Sequence, residues 1–180
     1  MHGFYCDTSE ESVFHEVDAA LLAGHEFHGE FPSSLRLWID DTSGPIADHL
    51  GNILRWTIMS DRLVSHLLPF IEGGVQILPA PLFLKDSDKR VRNYQVVNVT
   101  KVLDCVDRTR SVLIDPEDAL SWYSKLCIDA TMTEGAHIFR YLLTDDYVCP
   151  EVVCTFEVVN CLEGRGYTGM AFYSCDCADA

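Results

Sequence analysis

The chain has 180 residues, 48% of them hydrophobic, and a formal net charge of −15 from 28 acidic and 13 basic side chains. This length and composition suffice for one domain with a substantial core and are short for two. So acidic a chain should repel nucleic acids and anionic membranes, and the composition therefore predicts neither as a partner.

No apolar run approaches the ~18 residues that a membrane-spanning helix needs, and the first residues are acidic where a secretory signal is basic. We therefore expect a cytoplasmic protein. In that compartment the eight cysteines are expected to be reduced thiols.

The excess acid is concentrated at the two ends of the chain. Residues 1–55 hold 10 acidic and 2 basic side chains, residues 56–144 hold 11 and 10, and residues 145–180 hold 7 and 1. Two interpretations stay open. The charge attracts a basic partner with a fast, salt-sensitive association rate, or it only keeps the protein soluble.

Residues 1–34 have the least distinct pattern, and we treat them as an extension of the single domain predicted for residues 1–180. Within them, residues 10–23 fit a short helix. His15, His25 and His28 suggest a metal site, but the segment HEFH is one residue short of the H-E-x-x-H pattern that points two imidazoles at one zinc ion. Surface histidines are the preferred interpretation.

Further along, residues 35–40 alternate like a strand that enters the core, and residues 41–45 have the composition of a turn. Ser60 and Asp61 predict a helix start, because the hydroxyl can accept an unpaired amide hydrogen and the carboxylate faces the positive end of the helix dipole. Apolar residues then follow at helical spacing, and Pro69 should bend or end the helix.

The next segment, VQILPAPLFL at residues 75–84, is rich in strand formers but contains two prolines, which predicts a broken or edge strand. Residues 85–89 are charged and predict a turn, and residues 91–99 predict a returning strand. This stretch should therefore form an antiparallel pair with the preceding helix packed on it.

In the last third, short strands are predicted at residues 112–114, 119–128 and 138–143. Pro150 suits the first turn of a helix in which Val153, Phe156 and Asn160 would lie nearest one face, with Gly164 as its stop.

Residues 167–173 predict a closing strand, and a disordered tail is one interpretation of residues 175–180. Asp145 and Asp146 predict an exposed acidic corner before the helix.

The order of these segments resembles a known family. A capped helix is followed by VQILPAPLFL, YQVVNVTKVLDCVDRTRS, HIFRYLL, a short helix and GYTGMAFYS. In this order and spacing, residues 35–174 resemble the Imm11 family of bacterial immunity proteins. The resemblance implies a protein that binds and neutralises a toxin made alongside it by stoichiometric occlusion, without turnover, catalytic residues, metal or cofactor. The partner would be a basic toxin, of which nucleases are one class.

We therefore predict an α+β single domain, with a mostly antiparallel or mixed sheet and a few packed helices. The candidate toxin-binding residues are four carboxylates at the end of a predicted strand, in the turn after it and at the acidic corner: Asp40, Asp41, Asp145 and Asp146. The polar residues of the family-like segment are interpreted as buried salt bridges or turn caps, not as an active site: Asn98, Asp104, Asp107, Arg108 and Arg110.

Two other functional classes stay open. An enzyme could use Cys105 with His137 and an aspartate, although the chain has no nucleophile elbow, phosphate-binding loop or paired C-x-x-C; core positions for Cys105 and Cys127 are the simpler interpretation. A metal-binding or adaptor protein could use Cys149, Cys154, Cys161, Cys175 and Cys177, whose spacing matches no usual zinc site. Cys154 and Cys161 lie one heptad apart on the predicted helix, where they would simply pack.

Overall fold

The computed structural model describes residues 3–39, 44–71, 73–115, 117–118 and 122–178. The α-helices in these ranges are α1 (Glu11–Ala23), α2 (Asp61–Leu67) and α3 (Phe156–Leu162). The strands are β1 (Gly3–Tyr5), β2 (Arg36–Ile39), β3 (His49–Leu50), β4 (Ile58–Ser60), β5 (Val75–Pro79), β6 (Leu82–Leu84), β7 (Arg90–Val91), β8 (Tyr94–Val99), β9 (Val102–Leu103), β10 (Val112–Leu113), β11 (Tyr123–Lys125), β12 (Cys127–Asp129), β13 (Ile138–Thr144), β14 (Tyr147–Val148), β15 (Val153–Cys154) and β16 (Asp176–Ala178). The predicted α+β class is confirmed.

Helix α1 confirms the helix predicted near the amino terminus. It buries Phe14, Val17 and Leu21, which recur at helical spacing. The helix ends at Gly24, whose positive φ of 68° lets its amide donate to the Ala20 carbonyl. No side chain fits there, since an added Cβ would lie 2.7 Å from a Val102 methyl carbon. The end of α1 is therefore pressed against the turn between β8 and β9.

Two four-stranded sheets enclose the largest core cluster together with α1. The first sheet has the order β1-β2-β6-β7 and contains one parallel pair, β2 with β6. The second has the order β3-β4-β8-β5 and is antiparallel throughout. Strands β2, β4, β6 and β8 contribute buried aliphatic and aromatic residues to the cluster, so the predicted core-entering strand at residues 35–40 is confirmed.

Most of the central stretch folds as its sequence predicts, but the returning strand predicted at residues 91–99 is divided: Val91 belongs to β7 in the first sheet, and β8 begins at Tyr94 in the second. The Ser60 hydroxyl accepts from the Leu63 amide and caps α2, and a 3₁₀ turn containing Pro69 follows the helix. Strand β5 is the edge of its sheet and ends at the first of the two prolines, Pro79, and the chain passes through Ala80 and Pro81 to enter the other sheet as β6. The broken or edge strand is thus confirmed, and α2 packs on β8 through Leu63, Leu67 and Val99.

The carboxy-terminal half is built on β13. This strand pairs antiparallel with β14 and β15, and parallel with β9. Strands β10 and β11 form a separate two-stranded antiparallel ribbon, and β12 pairs in parallel with β16. The single strand predicted at residues 119–128 is therefore two strands with different partners, β11 and β12, while residues 119–121 lie outside the described part.

The predicted helix from Pro150 begins too early. Val153 and Cys154 instead pair with β13, because its edge offers unpaired backbone groups to two strand-compatible residues. The helix starts at Phe156, which is 76% exposed, and buries Val158 and Leu162. The prediction that Val153, Phe156 and Asn160 share one helix face is thus wrong.

The closing strand predicted at residues 167–173 is also wrong. These residues are irregular, and they approach β3 so closely that a Cβ on Gly169 would lie 2.1 Å from the His49 carbonyl oxygen. Gly169 has φ +84°, a conformation that suits glycine. The carboxy-terminal strand lies further on, at Asp176–Ala178, within the residues for which the sequence left a disordered tail open.

Side-chain amides attach the segment after α1 to the second sheet. The Gln76 Oε1 atom accepts from the Phe27 amide at 2.9 Å, and its Nε2 donates to the Phe27 carbonyl at 2.6 Å. The buried Asn98 donates to the His25 carbonyl at 2.7 Å. Backbone groups that are outside regular structure are thereby satisfied by side chains.

A buried carboxylate, Asp48, connects three distant segments. It accepts from the Ser60 hydroxyl at 2.7 Å, from Arg62 Nη2 at 2.7 Å and from the Thr168 amide at 3.2 Å. The Arg62 hydrogen bonds, followed by those of Ser60 and Thr168, lower the pKa of Asp48 despite its burial. The carboxylate therefore favours the ionised state in the folded protein.

We expect Gln76→Glu to destabilise the fold by about 1–3 kcal/mol, because a carboxylate can accept from the Phe27 amide but only repels the Phe27 carbonyl. The free energy of unfolding, measured by denaturant titration with tryptophan fluorescence, tests this. A variant as stable as the wild type would contradict a stabilising role for the two hydrogen bonds between Gln76 and Phe27.

We expect Asp48→Asn to lower the free energy of unfolding by about 1–3 kcal/mol at neutral pH, since an amide cannot accept all three hydrogen bonds. The pKa of Asp48 is depressed below its ordinary value of 3.8 in the folded state. Its stabilisation is therefore complete above that value and is lost as the pH falls through the folded-state pKa.

Denaturant titrations of both proteins from neutral pH to pH 3 should show their stability difference shrinking below about pH 4. A stability difference that stays constant over this range would show that the ionised carboxylate of Asp48 is not what stabilises the fold.

Candidate functional site

An open depression of about 700 Å³ lies between the β10–β11 ribbon and the end of β13. Its apolar lining comes from Leu113, Tyr123 and Leu143, which belong to three different strands. Asp145 and Asp146 lie on its margin, in the turn between β13 and β14. The depression is thus apolar within and acidic on one side.

The two aspartates of this turn occupy the exposed acidic corner that the sequence predicts. In the described part of the chain, neither carboxylate accepts a hydrogen bond or forms an ion pair. Their role in binding stays a prediction. The other two candidates, Asp40 and Asp41, lie outside the described residues.

The basic residue on the margin is Arg108, whose Nη1 donates to Asp104 at 2.8 Å. This hydrogen bond raises the pKa of Arg108, and the nearby charges of Asp104 and Asp145 add to the effect. The pair is exposed and not the buried salt bridge that was one interpretation of these residues.

Asp107, next to this pair, caps a turn. Its Oδ1 accepts from the Thr109 and Arg110 amides at 3.0 and 3.1 Å. The side-chain hydrogen bond of Thr109 and these backbone contacts lower the pKa of Asp107. The turn-capping interpretation is confirmed for this residue.

The ribbon beside the depression presents exposed apolar side chains. Val112 is 52% exposed, Ile114 68% and Trp122 38%. The Arg55 guanidinium lies 5.9 Å from the centre of the Trp122 ring, so the loop before β4 adjoins this surface. Contiguous exposed apolar residues beside charged ones are typical of protein interaction sites.

The possible nucleophile pair is not brought together. Cys105 is 1% exposed within an apolar cluster, and burial raises its pKa to about 11. His137 instead contacts the Thr155 hydroxyl and the Phe70 ring. Cys105 and Cys127 are core residues, as the simpler interpretation predicts, and a thiol with a raised pKa is a poor nucleophile at neutral pH.

The described residues include no group of three or more His, Cys, Asp or Glu side chains arranged to hold a metal ion. His15 lies near Glu11 and His28 near Glu26, each on the exposed surface. All eight cysteines are free. Cys154 lies on β15 and Cys161 on α3, so the prediction that both share one helix is wrong.

Sequence reasoning missed a polar cluster around His66. Its Nδ1 lies 2.7 Å from the Tyr167 hydroxyl and 3.0 Å from the Arg62 carbonyl, and its Nε2 lies 2.8 Å from the Arg165 guanidinium. Since an arginine only donates, Nε2 must accept and Nδ1 carries the proton of a neutral ring. The imidazole is therefore fully engaged and attaches the segment after α3 to α2.

No local signal identifies that cluster, because Arg165 and Tyr167 lie about a hundred residues after His66 in the chain. Ser65 Oγ lies 3.4 Å from Nδ1, but its hydroxyl donates to the Arg62 carbonyl at 2.8 Å, and a nitrogen that carries the proton cannot activate it as a base. The cluster therefore has a structural role, while the depression and the apolar ribbon form the better candidate for a binding site.

Comparison with known proteins bears on the family of the chain and not on the site. Among the described residues, no helix is both long and apolar enough to cross a bilayer. No curated protein matches the sequence. A family model described as the immunity protein family Imm11 matches residues 2–176, which extends the resemblance noted from the sequence through the amino-terminal 34 residues. The chain therefore belongs to the Imm11 immunity protein family.

Proposed function

We propose that this chain is a cytoplasmic immunity protein of a bacterial polymorphic toxin system, which binds its cognate toxin and neutralises it by stoichiometric occlusion. The observation that carries the proposal is the family match over nearly the whole chain. An inhibitor of this kind acts by covering a functional surface, so it needs a stable interface and no turnover.

The charge of the chain supports a basic toxin as the partner. A net charge of −15 on 180 residues produces a negative potential that accelerates encounter with a basic protein. Nucleases are one such class, because their substrate-binding face must attract a polyanion. An acidic inhibitor that covers this face would compete directly with the nucleic acid.

We further propose that Asp40, Asp41, Asp145 and Asp146 contribute to the toxin-binding surface. The turn that carries Asp145 and Asp146 adjoins exposed Val112, within the apolar ribbon. Apolar residues at the centre of an interface supply affinity, while charges on its rim supply association rate and orientation.

Coexpression with the toxin-like protein of the adjacent reading frame should restore growth, and the two chains should elute together from a size-exclusion column. In a titration, toxin activity should fall linearly and reach its minimum at a fixed molar ratio. Complete neutralisation at a small fraction of that ratio would contradict occlusion and favour an enzymatic inhibitor.

Replacing both Asp145 and Asp146 with lysine should slow association with this toxin by about tenfold at low ionic strength. We expect the same reduction when Asp40 and Asp41 are both replaced with lysine. Stopped-flow association rates across a salt series measure the effect, which should shrink as salt screens the charges. The matched control reverses Asp86 and Asp88, an exposed pair in the β6–β7 turn. Equal rates for the candidate and control variants would contradict a local contribution.

A further inference from the structure

The depression beside the ribbon has the chemistry of a site for a long cationic side chain. Leu113, Tyr123 and Leu143 provide an apolar lining, and Asp145 and Asp146 provide two carboxylates on the margin. Lysine and arginine have this same division, an aliphatic stem with a charged end, and they bury the stem while the charge stays hydrated or paired.

Several aspartates in the described part of the chain accept hydrogen bonds from their own local backbone. Asp7, Asp107 and Asp129 accept from amides two residues ahead. Asp145 and Asp146 have no such hydrogen bond, and they lie beside an apolar lining. Neither carboxylate forms an ion pair within the described residues, although Asp145 lies close enough to Arg108 to raise its pKa, and both can pair with an incoming cation.

The protein's own cation at this site is already paired. Arg108 lies on the margin of the depression, but its guanidinium is bound to Asp104. Exposed Val112 adjoins the depression, and Ile114 and Trp122 follow along the ribbon.

We propose that this depression receives one lysine or arginine side chain of a basic partner protein, with the exposed residues of the ribbon packing around its base. The inference rests on the proposed function in that the partner is the toxin. It adds the site of insertion and the chemistry of the inserted residue. Arginine is among the residues that most often dominate interface energetics, which favours it as the inserted side chain.

The test separates a short-range contact from long-range attraction. Replacing Asp145 and Asp146 with asparagine should raise the dissociation rate of the complex with the adjacent-frame toxin by about tenfold or more, because a partner cation loses its carboxylates. Replacing Asp86 and Asp88 with asparagine changes the net charge equally and should leave the dissociation rate within about twofold. Surface plasmon resonance measures both rates.

A second variant fills the depression with a cation of the protein's own chain. Val112→Arg places the protein's own cation at the depression and should weaken the complex, whereas Leu68→Arg changes a similarly exposed aliphatic residue after α2 and should not. Both positions are more than half exposed, so thermal unfolding should be close to that of the wild type. Equal affinity of the two variants would overturn the proposal.

N-acetyl-arginine amide serves as a probe that does not depend on the toxin. In a ¹⁵N NMR titration, millimolar concentrations should shift the amides of Leu113, Thr144, Asp145 and Asp146, and these shifts should vanish in the double asparagine variant. If the wild type binds the toxin but all variants dissociate alike, the insertion proposal fails and the proposed function stands. If the wild type forms no complex, the proposed function fails, and an absence of localised shifts would then overturn the cation site as well.

Discussion

The carboxylate of Asp48 is the interaction on which the arrangement of this fold depends most. Burying a charge is costly unless it is paired and hydrogen-bonded, and Asp48 meets that requirement only because two other segments, at residues 60–62 and at Thr168, converge on it. Ser60 also caps α2, so the same hydroxyl begins the helix and satisfies the buried charge. Thr168 brings the segment after α3 to the same point. Register in the second sheet, the start of α2 and the path of the carboxy-terminal segment are thus coupled.

A second buried polar contact holds the carboxyl end of α1. Arg140, on β13, is almost fully buried, and its guanidinium donates to the Leu21 carbonyl at 2.6 Å. A cation at the carboxyl end of a helix is favoured by the helix dipole and satisfies a carbonyl that has no partner within the helix. Burial lowers the pKa of Arg140, though not enough to neutralise an arginine. Together with the Gln76 and Asn98 amides, it joins the amino-terminal segment to both halves of the protein.

Local signals were sufficient where one segment determines its own structure. The capped helix α2 and the proline-interrupted strands follow from hydroxyl capping and missing amide donors, which act within a few residues. Residues 150–160 could not be read this way, because apolar residues there satisfy helical spacing while the unpaired edge of β13 selects two of them for a strand. Similarly, residues 167–173 have a strand-forming composition, but Gly169 lies against His49 in the folded chain. This tertiary contact cannot be predicted from the spacing of apolar residues. The acidic corner at Asp145 was predictable from its turn, yet the depression was not, because it needs β10, β11 and β13 side by side.

That arrangement also separates the candidate surface from the parts that determine the fold. In the described part of the chain the ribbon strands β10 and β11 pair only with each other, and their exposed residues lie outside the three buried clusters. A substitution at Val112 or Ile114 therefore leaves the core packing intact, whereas one at Asp48 or Gln76 disturbs contacts between segments. A protein that must match one particular partner benefits from this division, because the complementary surface can vary without a matching change in the core. On the proposed binding surface, specificity would reside in the ribbon and its acidic margin, apart from the capped helix, the two sheets and the polar contacts that join them.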